Sequence, residues 1–118
     1  MRSACLGNSR FSAVISNSIV HHIPEPLEAL VEMVRVARPG AVLFVRDLLR
    51  PETEEQLQSL VDQYAAGANA HQRQMFADSL HAALSLAEIR EFVAQMSFAA
   101  STVQATSDRH WTWAAVRP

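Results

Sequence analysis

The stretch Phe11–Pro51, FSAVISNSIVHHIPEPLEALVEMVRVARPGAVLFVRDLLRP, decides the fold. Its opening, Phe11 to Ser18, holds a short apolar run, Ala13 to Ile15, and then small polar residues. That pattern predicts a buried strand that ends in a loop. Leu27, Leu30, Val31 and Val34 follow at i, i+3, i+4, i+7 spacing, one face of a helix, and Pro26 suits its first turn because a proline there gives up only an N–H that has no helical partner. Pro39-Gly40 is expected to stop the helix. Ala41 to Val45 is a continuous apolar run rich in β-branched residues, hence a second buried strand, parallel to the first. Strand, helix, strand over so short a span is a βαβ unit with a right-handed crossover.

Beyond this unit, Pro51 opens a helix. Thr53 and Gln56 have capping-box spacing, Leu57, Leu60, Val61 and Tyr64 make the apolar stripe, and Gly67 is a candidate C′ residue. Met75, Phe76, Leu80 and Ala83 suggest another short helix. Ser85 and Glu88 form a second capping box directly before Leu86, Ile89, Val93 and Met96. Ser101 to Thr106 and Trp111 to Val116 read as strands joined around Asp108-Arg109, an antiparallel hairpin. The order β-α-β-α-α-α-β-β makes residues 11–118 one domain, with residues 1–10 as an extension outside it.

Composition narrows the functional classes. The chain has 118 residues, 49% apolar and 19% charged, which suits a globular domain with a modest core. A net charge of -2 argues against a nucleic-acid partner, since phosphate binding needs a basic surface. All the bases are Arg, with no Lys. The single cysteine, Cys5, cannot form an internal disulfide, so the expected home is a reducing cytoplasm. No apolar run approaches the ~20 residues of a membrane span, and Met1 to Arg10 lacks an apolar core of the secretory type. The spacing of His21, His22, His71, His81 and His110 matches no zinc pattern, so no metal is expected.

Within Phe11–Pro51 stand Asn17-Ser18, His21-His22, Arg35, Pro39-Gly40, Asp47 and Arg50-Pro51. In this order and spacing they resemble the middle of a class I S-adenosylmethionine-dependent methyltransferase of the small-molecule, quinone-biosynthesis-like type. There a strand ends in an N-S-x-x-H-H loop, a helix leads to R-x-x-x-P-G-G, and the next strand ends in D-x-x-R-P. The tail, with the capped helix at Ser85 and the hairpin carrying Arg109, His110 and Trp111, also fits, so the likeness covers nearly the whole chain. Ala41 stands where the family often has a second glycine, and Ser12 where it often has Asp. The resemblance implies a partial Rossmann-like α/β fold of about four strands, two parallel plus a C-terminal antiparallel hairpin, with three to four helices. It implies S-adenosylmethionine as cofactor, with Asn17 and Ser18 on the cofactor side. His21 and His22 would orient the acceptor or take its proton, as imidazole titrates near neutrality, and Asp47 and Arg50 would bind substrate.

The same likeness exposes an absence. The family's cofactor site begins at a glycine-rich loop, where backbone must approach the ligand closely. This sequence has three glycines, Gly7, Gly40 and Gly67, and none belongs to a G-x-G pattern. The chain therefore matches the C-terminal half without the cofactor half, and is expected to be inactive and to bind no cofactor alone. The implied strand order is Val14's strand, Leu43's, the C-terminal strand, then Val103's. The helices at Leu27–Val34 and Leu86–Met96 should share one face, leaving the other bare and the Val14 strand as an exposed edge. Exposed apolar edges and faces recruit chains, so a homodimer through the Val14 edge, the uncovered face or both is expected, or else a complementing cofactor-binding chain. The extra helices, Thr53 to Tyr64 and Ala70 to Leu80, offer a cover for the bare face. An assembly module without enzymatic activity is the rival reading, and half of a split methyltransferase another.

Each candidate also has an ordinary structural role. His21-His22 can be simple loop residues, Asp47 and Arg50 a pair holding a turn, Glu52, Glu54 and Glu55 a solvated acidic run favoured by the helix dipole, and Tyr64 a packing residue. Trp111 and Trp113, two apart on one strand, share a face and read as core or contact residues.

Overall fold

A computed structural model describes residues 9–18 and 20–118, the side chain of His21 excepted. The proposed extension thus lies mostly outside the described residues, as do Cys5 and Gly7; Ser9 and Arg10 donate their N–H groups to Arg35 O and Val36 O. The strands are β1 (Phe11–Asn17), β2 (Ala37–Leu48), β3 (Val103–Ser107) and β4 (His110–Val116). The helices are α1 (Pro26–Val36), α2 (Glu54–Tyr64), α3 (Ala70–Ala82) and α4 (Leu86–Gln95), with single 3-10 turns at Val20–His22 and Ala100–Thr102.

The strands form one sheet in the order β1-β2-β4-β3, the order implied by the sequence. β1 and β2 run parallel, with Ala13 opposite Val42 and Asn17 opposite Arg46. β4 lies antiparallel to both β2 and β3. β2 is longer than its apolar run because the expected stop does not act as one. α1 already ends at Val36, Ala37 is extended (φ -76, ψ 135), and Pro39-Gly40 sits inside the strand where the register with β1 shifts. Gly40 there takes φ +83, a conformation that side chains with a Cβ rarely adopt.

Local signals set the helix starts. Pro26 stands in the first turn of α1. Thr53 Oγ1 accepts from Gln56 N–H at the start of α2, and Ser85 and Glu88 close the capping box of α4. A further capping box, Asn69 with Gln72, starts α3. α2 ends at Tyr64 with Ala65 as its cap, so Gly67 lies beyond the C′ position.

Strand alternation divides the sheet into two unlike faces. On one face Ala41, Leu43 and Val45 of β2, Val103 of β3 and Trp111 and Trp113 of β4 are buried against Leu30 of α1 and Ile89 and Val93 of α4. Phe98 meets the Trp113 ring edge-on, with centroids 5.1 Å apart. α1 and α4 thus share the face the sequence assigns to them. On the opposite face Ile15 (70% exposed), Val42 (50%) and Val116 (61%) lie open, beside Phe44. α2 and α3 pack on each other through Leu57, Leu60, Val61 and Leu80, and of this face they reach Leu48. Within the chain they cover its end near the carboxyl terminus of β2 and leave the apolar middle open.

The two faces should respond unequally to the same deletion. Leu43→Ala should cost about 2–5 kcal/mol, because it empties a buried site. Val42→Ala, one residue away, should cost about 1 kcal/mol or less, because half its surface already meets water. Urea unfolding of both variants checks this, and equal losses would mean that the open face is covered in solution.

Candidate functional site

In an open sheet with parallel strands, ligands sit beyond the carboxyl ends of those strands. β1 ends at Asn17 and β2 at Leu48, side by side. Ser18 takes φ +61 and turns the chain out of β1, its N–H donating to Arg46 O at 2.9 Å and its Oγ to Asn17 Oδ1 at 3.2 Å. Asn17 and Ser18 are both exposed at this rim.

Asp47 holds the loop that follows. It is 1% exposed, and its Oδ2 accepts the Val20 N–H at 2.6 Å while Oδ1 accepts its own strand neighbour's, Leu48 N–H, at 2.8 Å. Hydrogen bonds to an ionised carboxylate are short and strong. This one, spanning 27 residues of sequence, fixes where the turn Val20–His22 leaves β1. Val20 itself is buried in the main core, and His22 is exposed. The structure therefore brings Asn17, Ser18, the backbone of His21-His22 and Asp47 to one rim, with the Asp47 carboxylate turned to the loop backbone.

Arg50 goes elsewhere. The Asp47–Arg50 pair suggested as a turn lock is replaced by a bond to Glu88, 2.8 Å, with a further bond from Arg50 to Ala83 O. Arg50 lines a cavity of about 700 Å³ between α2, the start of α4 and the β3–β4 hairpin, with Glu52, Gln56, Gln63 and Asp108 as other polar walls and Leu60 and Leu86 as apolar ones. That volume is in the range of small-molecule sites. Neither Asn17, Ser18 nor His22 lines it. At its edge the Tyr64 hydroxyl donates to Asp108 Oδ2 at 2.6 Å, which holds the Asp108 carboxyl below its usual range, and the Arg109 guanidinium lies 3.8 Å over the Tyr64 ring. Tyr64, read as a packing residue, instead latches α2 to the hairpin turn.

A second polar group lies on the open sheet face, and the sequence reading did not single it out as a cluster. Register places Asn17, Arg46 and Thr112 in one row across β1, β2 and β4, with His110 next to Arg46 on the diagonal. Arg46 Nη2 lies 3.3 Å from His110 Nδ1, and Ser107 Oγ lies 2.8 Å from the same atom. A guanidinium can only donate, so Nδ1 accepts and the ring proton belongs on Nε2. Burial, then the charges of Arg46 and Arg109, push the His110 imidazole below its ordinary pKa, so it stays neutral at pH 7. The available signal was the alternation of β2 itself, which sets Arg46 opposite the buried Val45 and Asp47.

The described glycines offer no cradle for a nucleoside cofactor. Gly40 lies at the amino end of β2, away from the rim, and Gly67 follows α2. Neither described glycine therefore stands at the rim, where a close backbone approach to a ligand would call for one. Among the described residues no group of three or more His, Cys, Asp or Glu could hold a metal ion, and no helix is long and apolar enough to cross a membrane.

A family model described as a methyltransferase domain matches residues 3–45, which include β1, α1 and the first part of β2. No curated protein matches the chain in sequence. Among solved structures, an arsenic(III) S-adenosylmethionine methyltransferase from Chlamydomonas reinhardtii superposes with a TM-score of 0.56 at 20% identity, over 94% of this chain and 38% of its own. The [4+2]-cyclase SpnF aligns at a TM-score of 0.49 and 16% identity, over 98% of this chain and 53% of its own. The chain therefore spans well under two thirds of the length of either structure. In sequence over residues 3–45 it is similar to a methyltransferase domain, and in fold over nearly its whole length to part of an S-adenosylmethionine methyltransferase.

Proposed function

We propose that the chain is the acceptor-side half of a methyltransferase that passes a methyl group to a small molecule, and that S-adenosylmethionine is held only when a complementing segment or chain supplies the glycine-rich loop. The observation that carries this reading is the rim at the carboxyl ends of β1 and β2, where the buried Asp47 carboxylate fixes the Asn17–His22 loop. In this reading Asn17 and Ser18 face the cofactor side. His21 and His22 orient the acceptor or take its proton. Asp47 acts through the loop it holds, and Arg50 binds substrate from the wall of the cavity. Alone, the chain is catalytically incompetent, because its described glycines lie away from the rim. A cytoplasmic location follows from the same family reading.

A second reading, a non-enzymatic homodimeric module, is favoured by β1. It lies at the sheet edge, and Ile15 is 70% exposed beside Val14. Two such edges related by a two-fold axis pair antiparallel, and the apolar middle of the open face is left for the complementing segment or the dimer partner.

Calorimetry on the isolated chain should show no S-adenosylmethionine or S-adenosylhomocysteine binding in the micromolar range; clear micromolar binding would overturn the need for a second half. Sedimentation should show a dimer, and Ile15→Lys, which puts a charge on an already exposed position, should give a folded monomer. A wild-type monomer would sink the edge-pairing idea. Asp47→Asn should cost about 1.5–3 kcal/mol, since it weakens a charge-assisted bond and leaves polar atoms buried. Exchange of the Val20 amide hydrogen should accelerate in that variant, and an unchanged rate would remove Asp47 from the loop's support.

A further inference from the structure

We infer that Arg46 is an anion site for a ligand carboxylate, on the open sheet face at the rim where β1 and β2 end. As a reading of what the methyl acceptor carries, this rests on the proposal above; as a binding site it does not.

The case begins with how the half-buried arginines among the described residues are satisfied. Arg35, Arg50, Arg73 and Arg109 each meet a carboxylate. Arg90 and Arg117 donate to the backbone carbonyls of Val103 and Ala37. Arg46 is half-buried, forms no ion pair among the described residues, and has the neutral His110 imidazole as its partner. A guanidinium carries five donors in a fixed fork. One is spent on His110, and an imidazole held neutral orients the group without cancelling its charge. Ser107, bonded to the same imidazole nitrogen, fixes the ring in turn.

Position and surroundings say what the anion should be. Asn17 and Thr112 flank Arg46 in the same cross-sheet row, the first with amide donors and the second with a hydroxyl already linked to Thr106 at 2.8 Å. A single cation suits a singly charged, planar carboxylate, which a guanidinium can grip with two parallel bonds. Along β2 toward its amino end the same face turns apolar, with Phe44 and Val42 beside Ile15. A carboxylate joined to an apolar or aromatic body therefore matches both parts of the surface, with the carboxylate at the Arg46 row and the ring over Phe44 and Ile15.

The test uses benzoate and its neutral isostere, benzyl alcohol, titrated into the intact 118-residue chain at low salt and followed by NMR of the labelled protein. Benzoate should bind about tenfold more tightly than benzyl alcohol, the advantage expected of one charge-assisted pair. Its shifts should centre on Asn17, Arg46, His110 and Thr112. Arg46→Met should abolish the difference, and Arg46→Lys should keep part of it, with both variants checked for folding by circular dichroism. Equal binding of the two probes by the wild-type chain, no binding of either, or shifts centred on the Arg50 cavity would each overturn the site, with no variant needed. Cofactor calorimetry with a complementing chain is read separately: benzoate bound at Arg46 with no cofactor binding in that complex would refute the methyltransferase reading and keep the site, and the reverse result would refute the site alone.

Discussion

The molecule is organised by a sheet with apolar residues on both faces, one packed beneath α1 and α4 and the other, among the described residues, covered by α2 and α3 only at its end near Leu48. β2 is the axis of that constraint. It pairs with β1 on one side and β4 on the other, and its alternate residues face opposite layers. Leu43 and Val45 are fully buried beneath α1 and α4, whereas Val42 and Phe44 face outward. Burying a Leu or Val side chain contributes roughly 1.5–3 kcal/mol, so the covered face supplies most of the apolar burial that holds the sheet. The same logic leaves the open face short of cover, since apolar strands of parallel type ordinarily have both faces packed.

The rim is organised by the same strand. As β2 runs out of the apolar layer its inward position becomes Asp47, still buried, and a buried carboxylate must be bonded. The donor it finds is the Val20 N–H, so the end of β2 dictates the course of the loop after β1. On the outward side the strand becomes Arg46, which finds a neutral imidazole. One strand thus delivers a satisfied anion inward and an uncompensated cation outward, both at the end where α/β sheets bind ligands.

Much of this was legible in the chain. The 3.6-residue spacing of Leu27, Leu30 and Val34, the period-two pair Trp111 and Trp113, and the Ser85–Glu88 box are local signals, and each produced its element. What failed was also local in kind. Pro39-Gly40 was read as a helix stop, yet the chain is already extended at Ala37 and uses the pair as an irregularity within β2. Gly67 was read as a helix end, but its neighbour two residues back caps the helix. The Asn69–Gln72 box that starts α3 is a local signal of the same kind as Ser85–Glu88.

The site was less legible because its contacts are long-range. Asp47 and Val20 are 27 residues apart, and Arg46 and His110 are 64 apart. No periodicity links them; only the register of β2 against β1 and β4 does. A motif can place Asp47 and Arg50 near each other along the chain, but it cannot say that one is turned inward to a backbone N–H and the other outward to Glu88. Motif spacing therefore identifies which residues stand at a strand end, and strand alternation then decides which of them can touch a ligand. By that rule Arg46, which stands one residue before the motif's Asp47, is better placed on the open face than Asp47 itself.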